Sequence, residues 1–241
     1  MKRIALAGLL GFLLAAAPDD REDLEKAAER TRDLDNYGFK GRINVDGVPF
    51  LAEPVEYTGA YIKDRGFQAT MGPFGSIFRL DKKVAVKDPE SGTWILLRSG
   101  TKVGEGPLAA EIPIIARGLR PPHEELKKFE KRFKDVRKKD GGGKIGDVSC
   151  GVYEGALTEA GVRASLPAGA GALLGKGSYE GTGRAWVDDA GRILRFDSEG
   201  KIQIEDKDKT TELSFTRTTE FSDIGKAKVE MPAEVKKLFE D

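Results

Sequence analysis

The sequence has very few of the residues that build covalent and metal-dependent sites. It contains a single cysteine, Cys150, and a single histidine, His123. One cysteine cannot form an internal disulfide, and an isolated histidine argues against a zinc site or a histidine-based catalytic triad. We expect a buried, inert thiol at Cys150. Because His123 follows two prolines at a predicted helix start, we expect a surface or capping role for it.

The chain also lacks net charge. Its 40 Lys and Arg residues balance 40 Asp and Glu residues, so the formal charge at pH 7 is zero. Domains that bind nucleic acid usually carry an excess of basic residues, and we therefore expect no nucleic-acid partner. Charged residues make up 33% of the chain, which is typical of a well-solvated surface.

No segment fits the motifs of nucleotide-binding or hydrolytic enzymes. Around residues 169–178 the glycine spacing is one residue too long for a phosphate-binding loop, and Leu174 breaks the dinucleotide pattern. Adjacent acids such as Asp188 and Asp189 lie in a predicted turn, where aspartate is favoured for backbone reasons. We predict no catalytic residue, no metal site and no cofactor, and we keep an exported hydrolase as the least favoured alternative.

Long hydrophobic runs are absent except at the start of the chain. Lys2 and Arg3 precede an apolar stretch over residues 4–16 that ends in small alanines. This pattern predicts a secretory signal peptide over residues 1–17, followed by one domain over residues 18–241. Pro18 hinders cleavage directly after Ala17, which leaves two alternatives: a cut one residue earlier, or a signal retained as an anchor. With no cysteine at the cut for a lipid anchor, we expect a periplasmic or secreted protein.

Alternating apolar and polar residues predict strands through most of the remaining chain. In the clearest case, residues 211–221, Leu213, Phe215 and Phe221 share one face. The predicted strands are 39–45, 57–63, 66–71, 76–80, 83–87, 93–97, 147–157, 183–187, 192–196, 201–205 and 211–221. Pro, Gly and Asp separate them at short intervals, as in an antiparallel meander.

Helices are predicted at 19–35, at 107–117 with a break or kink at Pro113, and from 121 to about 139. The third would be a basic amphipathic helix, for which two interpretations remain: binding to an anionic membrane, or docking on the sheet with a solvated charged face. The segment 160–177, rich in Ala and Gly, predicts a mobile loop or loose helix. The sequence therefore predicts an α+β fold, with one large curved antiparallel sheet and helices on one face.

The order of these elements and the residues between them resemble a known superfamily. The resemblance is carried by Tyr37-x-Phe39-x-Gly41, by residues 86–94, by Gly183-x-Ala185-Trp186-Val187-Asp188-x-x-Gly191-x-Ile193, by Phe221-Ser222-Asp223-Ile224-Gly225 and by Val229-x-Met231-Pro232. Together they are similar to the LolA-like periplasmic lipoprotein carriers and to the mycobacterial lipid-carrying lipoproteins of the LppX and LprG type. The resemblance covers nearly the whole chain after residue 17.

The resemblance implies a half-barrel with helices as a lid over a hydrophobic cavity for acyl chains, and it implies binding without catalysis. We therefore predict an exported carrier for a lipid, a lipoprotein acyl chain or another hydrophobic ligand, with a lipoprotein or a membrane surface as a further partner. The alternative is an exported structural or interaction protein with the same sheet and a filled core. The side chains predicted to line the cavity are Phe39, Phe67, Met71, Phe78, Ile114, Ile115, Trp186 and Phe215.

Overall fold

The structure, a computed structural model, describes residues 19–47, 53–105, 109–166, 177–206 and 209–240. The predicted signal peptide and residues 167–176 lie outside the described residues. Within these ranges eleven strands form one antiparallel sheet. The sheet is open and curved into a half-barrel with helices on its concave face, which confirms the predicted fold class.

Most of the strands begin and end within two or three residues of their predicted positions. The strands are β1 (Asn36–Asp46), β2 (Val55–Ile62), β3 (Gly66–Met71), β4 (Ser76–Leu80), β5 (Lys83–Lys87), β6 (Trp94–Leu96), β7 (Arg137–Ile145), β8 (Val148–Ala156), β9 (Gly177–Asp188), β10 (Ile193–Asp206) and β11 (Lys209–Ser222). The segments predicted separately at 192–196 and 201–205 are one strand, β10. Its register with β11 is continuous from Arg195 to Asp206, because no turn residues interrupt the ladder.

The first and last strands meet in the middle of the sheet, where Phe39 of β1 lies opposite Phe221 of β11. This pairing joins two meanders, β1–β6 and β7–β11, into one sheet with the strand order β6-β5-β4-β3-β2-β1-β11-β10-β9-β8-β7. Strands β9–β11 have 12 to 14 residues, whereas β4–β6 have three to five. Since every strand twists, strands this long coil, and the coiling gives the sheet its concave face.

Successive side chains along a strand point to opposite faces of the sheet, and this alternation decides which of them face inward. In β11 the odd-numbered residues from Leu213 to Phe221 are all buried, and the even-numbered residues between them are half-buried or exposed. The same alternation in β1 buries Tyr37, Phe39 and Ile43. The inward-facing side chains of both meanders merge into one apolar cluster.

The helices are α1 (Asp20–Arg32), α2 (Glu111–Gly118), α3 (Pro122–Glu125), α4 (Glu159–Ser165) and α5 (Ala233–Glu240), with 3₁₀ helices at Gly72–Phe74 and Phe129–Arg132. Asp19 caps α1 by accepting a hydrogen bond from the backbone N–H of Arg21 at 3.0 Å. Helix α1 packs Leu24 and Ala27 on the concave face. Thr31 fixes its far end, because its hydroxyl oxygen accepts a hydrogen bond from the Ile193 backbone N–H at 2.7 Å.

Helix α5 was not predicted, and it packs on the convex face. Its buried Val235 joins Phe78, Ala85 and Trp94 from β4, β5 and β6 in a second, smaller apolar cluster. Phe239 contacts Phe78 at a centroid distance of 6.2 Å. One end of the sheet is therefore covered on both faces, since α2 packs on the concave side of the same strands.

The predicted basic helix from 121 to about 139 is wrong. Only α3 and the 3₁₀ helix Phe129–Arg132 form, and Lys128 between them has a left-handed backbone with φ of 56°. Residues 137–145 instead form edge strand β7, which pairs with β8. The spacing of apolar residues in this segment is compatible with short turns as well as with a helix. The basic residues that follow form a strand because the free edge of β8 offers them backbone hydrogen-bond partners.

Pro113 does not break α2 as predicted. It is the third residue of the helix, in the first turn, where a backbone N–H has no acceptor within the helix and its loss costs little. Part of the segment predicted as a loose helix or loop forms α4, capped by Thr158, whose hydroxyl accepts from the Gly161 N–H at 3.1 Å. Residues 107 and 108 lie outside the described part of the chain.

Candidate functional site

A broad apolar surface covers the concave face of the sheet, and aromatic rings occupy its centre. The rings of Phe39 and Phe67 stack with a centroid distance of 5.4 Å and an interplanar angle of 6°. Gly41 and Gly59 face inward beside them, and a Cβ at either position would overlap the ring of Tyr57 or Phe39. The two glycines thus allow large rings to lie flat against the strands.

Four of the predicted ligand contacts lie in this cluster. Phe39, Phe67, Met71 and Phe215 are between 2% and 3% exposed, and all four project from odd-numbered strand positions onto the concave face. Ile115 of α2 is half-buried and packs against the same cluster from above.

The other three predicted contacts lie elsewhere. Phe78 faces the convex side, beneath α5. Trp186 also points outward, where the guanidinium of Arg195 lies 4.9 Å from its ring. Ile114 is 60% exposed on the outer surface of α2. Phe78 and Trp186 each stand one position away from an inward-facing neighbour, and a shift of one residue along a strand reverses the face.

Residues 111–132, which we call the lid, cross the concave face above the aromatic centre. The lid contains α2, α3 and the second 3₁₀ helix. It buries four apolar side chains against the sheet, each at most 4% exposed: Ile112, Ala116, Leu126 and Phe129. Three polar side chains of the sheet also reach the lid, one each from β1, β11 and β4.

The first contact joins Tyr37 of β1 to His123 of α3. The Tyr37 hydroxyl lies 2.6 Å from His123 Nδ1 and accepts from the His123 backbone N–H at 3.2 Å. Burial lowers the pKa of the His123 imidazole to about 4 and raises the pKa of Tyr37. At neutral pH the imidazole is therefore uncharged, and the phenol O–H donates to Nδ1. His123 is thus half-buried against Tyr37 and Tyr61, where we expected a surface or capping residue.

The second contact is an ion pair within the apolar cluster. Arg217 of β11 is 8% exposed, and its Nη2 donates to both carboxylate oxygens of Glu125 at 2.7 and 2.8 Å. Burial disfavours the charge of Arg217, but the Glu125 carboxylate outweighs it, and the pKa of the guanidinium is raised. A second guanidinium, that of Arg132, donates to the Glu125 carbonyl, and burial lowers its pKa to about 10. Two guanidinium groups therefore contact Glu125, that of Arg217 through the carboxylate and that of Arg132 through the backbone carbonyl.

The third contact holds the end of α2. Arg79 of β4 is 7% exposed, and its Nη2 donates to the carbonyl oxygens of Ala116 and Arg117 at 3.1 and 2.8 Å. These carbonyls belong to the last turn of α2, where the helix itself supplies no donor. The contact satisfies them and ties the C-terminus of α2 to the sheet.

The sequence contained a signal for the two arginines. Arg79 and Arg217 occupy inward-facing positions two residues from Ile77 and Phe215, so each is a basic residue on an otherwise apolar strand face. Their partners are 37 to 92 positions away along the chain. No local pattern contains that information.

The described part of the chain gives no sign of a metal centre or a membrane span. Within it, no cluster of three or more His, Cys, Asp or Glu side chains is arranged to hold a metal ion. No described helix combines the length and hydropathy needed to cross a bilayer. Cys150 is a free thiol and is 5% exposed, which confirms the prediction of a buried cysteine, and burial raises its pKa.

Comparison with solved structures supports the fold. LprF from Mycobacterium bovis matches over 90% of this chain and 98% of its own, at 14% sequence identity and a TM-score of 0.50. This chain therefore shares the fold of LprF. At this level of identity the likeness concerns the architecture alone.

Two further solved structures match at lower similarity. A LolA superfamily protein from Nitrosomonas europaea matches 91% of this chain and 97% of its own, at 13% identity and a TM-score of 0.32. A putative outer membrane lipoprotein-sorting protein domain from Vibrio parahaemolyticus matches 92% of this chain and all of its own, at 10% identity and a TM-score of 0.30. No protein-family model matches the sequence, and no curated protein matches it.

Proposed function

We propose that this protein is an exported carrier that shelters a lipid, a lipoprotein acyl chain or another hydrophobic ligand between the concave face and the lid. The observation that carries the proposal is a continuous apolar concave face covered by a short, separately tied segment. In the superfamily that the sequence resembles, this arrangement encloses acyl chains. The protein acts by binding and release, and no chemical step is assigned to it.

The energetics of the site suit reversible loading. A ligand that replaces the lid's apolar contacts gains about 25 cal/mol for each Å² of apolar area removed from water, so one acyl chain gains several kcal/mol. Of the three polar contacts, those of Tyr37 and Arg79 are hydrogen bonds whose groups can bond to water when the lid moves. The Arg217–Glu125 contact joins two opposite charges whose side chains are 9% and 19% exposed, so it resists opening most strongly of the three. The closed form is therefore stable without being permanently locked.

The proposed ligand contacts are Phe39, Phe67, Met71, Phe215 and Ile115, because these side chains share the covered space. Phe78 and Trp186 face away from it and are not included. Ile114, exposed on the outside of the lid, is the proposed first contact with a membrane surface or a donor lipoprotein.

The predicted signal peptide supports export to the periplasm or beyond. The alternative of a structural or interaction protein is favoured by one observation, the dense packing of aromatic side chains beneath the lid. In a carrier the lid moves to admit a ligand, whereas in a structural or interaction protein it stays closed.

Native mass spectrometry distinguishes them. The full chain is purified without detergent and weighed before and after incubation with vesicles of phosphatidylethanolamine and phosphatidylglycerol. A stoichiometric lipid adduct that disappears on denaturation is the expected result. A bare mass under both conditions would contradict the carrier and favour the structural protein.

Two matched variants separate ligand loss from a general loss of packing. Ala69 and Ala85 are both fully buried, but Ala69 faces the concave space and Ala85 lies under α5. Replacing either with Leu overpacks its surroundings to a similar degree. We expect Ala69→Leu to reduce lipid occupancy and Ala85→Leu to leave it unchanged. If both variants change lipid occupancy equally, the ligand does not bind at the concave face.

A further inference from the structure

A pocket of about 290 Å³ opens at the rim of the concave face, between the β4–β5 turn and the end of the α2 helix. Its charged lining consists of Arg79, Lys82, Arg117 and Arg120, with Asp81 as the one acid. Val84 and Leu97 form its apolar floor. The volume lies at the lower end of the range for small-molecule sites and suits a compact polar group.

The basic side chains of this pocket outnumber the acidic ones. Among the described residues, none of its four bases forms a salt bridge, and four bases face a single acid. Burial lowers the pKa of the Arg79 guanidinium, and the nearby positive charge of Arg120 lowers it further, while the charge of Glu124 offsets these effects only in part. Like charges held together without compensation are costly unless an anion neutralises them.

Arg79 gives a second, independent indication of a ligand. It is 7% exposed, its Nη2 is used by the lid, and its buried Nε has no hydrogen-bond partner. An unpaired donor on a buried charged group carries a desolvation penalty that a bound acceptor removes. The pocket therefore combines uncompensated positive charge with an unsatisfied donor.

The pocket borders the proposed ligand space. Arg79 lies opposite Phe67 in the β3–β4 pairing and opposite Val84 in the β4–β5 pairing. Phe67 and Val84 both belong to the apolar cluster of the concave face, and Leu97 packs against it. A molecule with its polar end in the pocket would thus have its apolar part directed to the aromatic centre.

We propose that this rim pocket binds a phosphate group, and that in the carrier this phosphate is the headgroup of an acidic lipid. Guanidinium groups donate two parallel hydrogen bonds to phosphate oxygens, and a phosphate has enough acceptor oxygens to engage several bases at once. A carboxylate has two oxygens and would leave part of the cluster unpaired. The lipid assignment rests on the proposed carrier function, whereas the phosphate site does not.

The test compares ligands that differ only in phosphate. Dihexanoyl phosphatidic acid, dihexanoylglycerol and inorganic phosphate are each titrated into the full chain by calorimetry. The variant is the double substitution Lys82→Gln and Arg120→Gln, which spares Arg79 and its contact with the lid. The matched control is Lys139→Gln, an exposed base on edge strand β7 at the opposite end of the sheet.

We expect phosphatidic acid to bind about tenfold more tightly than dihexanoylglycerol, and the double variant to lose that advantage while the control keeps it. The advantage should also shrink as salt is raised. Equal binding of the two lipids would overturn the phosphate site and leave the carrier intact. Binding of inorganic phosphate alone, lost in the double variant, would support the site, assign it to free phosphate and reject the carrier. No binding of any of the three would overturn both.

Discussion

The two faces of the sheet are built from the same strands but hold different kinds of interaction. On the concave face, polar groups are few and buried, and three of them reach the lid, as Arg217 does to Glu125. On the convex face, charges pair with neighbours on adjacent strands in water, as Lys40 does with Glu220. The comparison shows that the concave face uses its polar groups to position a cover, whereas the convex face uses them for solvation.

The largest loss of stability should occur when one member of the buried ion pair on the concave face is replaced. Arg217→Leu leaves the Glu125 carboxylate buried without its partner, and we expect a loss of about 3–5 kcal/mol in the free energy of unfolding. Urea denaturation measures it. The double variant Arg217→Leu with Glu125→Leu should recover most of the loss, and a double variant as unstable as the single one would contradict this explanation.

A smaller effect is expected at the end of the lid. Arg79→Met removes both hydrogen bonds to the last turn of α2, which should cost about 1–2 kcal/mol and speed hydrogen exchange of the α2 amides. Arg195→Met, on the convex face, is the control and should leave that exchange unchanged. If α2 exchanges at the same rate in both variants, Arg79 does not hold the lid.

The concave face should also make the protein sensitive to acid. The pKa of His123 is about 4 in the folded protein and near 6.5 when unfolded, so the unfolded chain binds more protons between these values. Stability should therefore fall as pH decreases from 6.5 to 4, by roughly 1 kcal/mol once the partial exposure of the ring is considered. Denaturation at pH 7 and pH 5 measures the loss, and His123→Gln should abolish it. An undiminished loss in that variant would place the acid-sensitive group elsewhere.

The smallest effect is expected on the convex face. The Lys40 Nζ lies 3.0 Å from Glu220 Oε1, but the Lys40 side chain is 63% exposed. Lys40→Met should change the free energy of unfolding by less than about 1 kcal/mol. A loss similar to that of Arg217→Leu would show that the two faces do not differ in the way proposed.

Strand positions were predictable because alternation is local, and the boundaries of β3, β4 and β5 agree with those predicted from sequence. The structure of the segment after Pro122 was not predictable, because its spacing of apolar residues fits a helix as well as short turns. Pairing with β8 decided that its last part forms a strand. The cavity residues were chosen by size and apolarity, which cannot distinguish Phe78 from its neighbour Ile77. Their faces depend on register.

By itself the sequence determined the strand-rich α+β class, the single buried cysteine and the positions of the main turns, since propensity and periodicity act over a few residues. Only the tertiary structure decided that β1 pairs with β11, that α5 covers one end of the convex face, and that Tyr37, Arg79 and Arg217 contact the lid. These contacts join residues far apart in the chain. They depend on how the curved sheet brings distant strands under one cover, and the free energy that selects them comes from burial shared across the whole concave face.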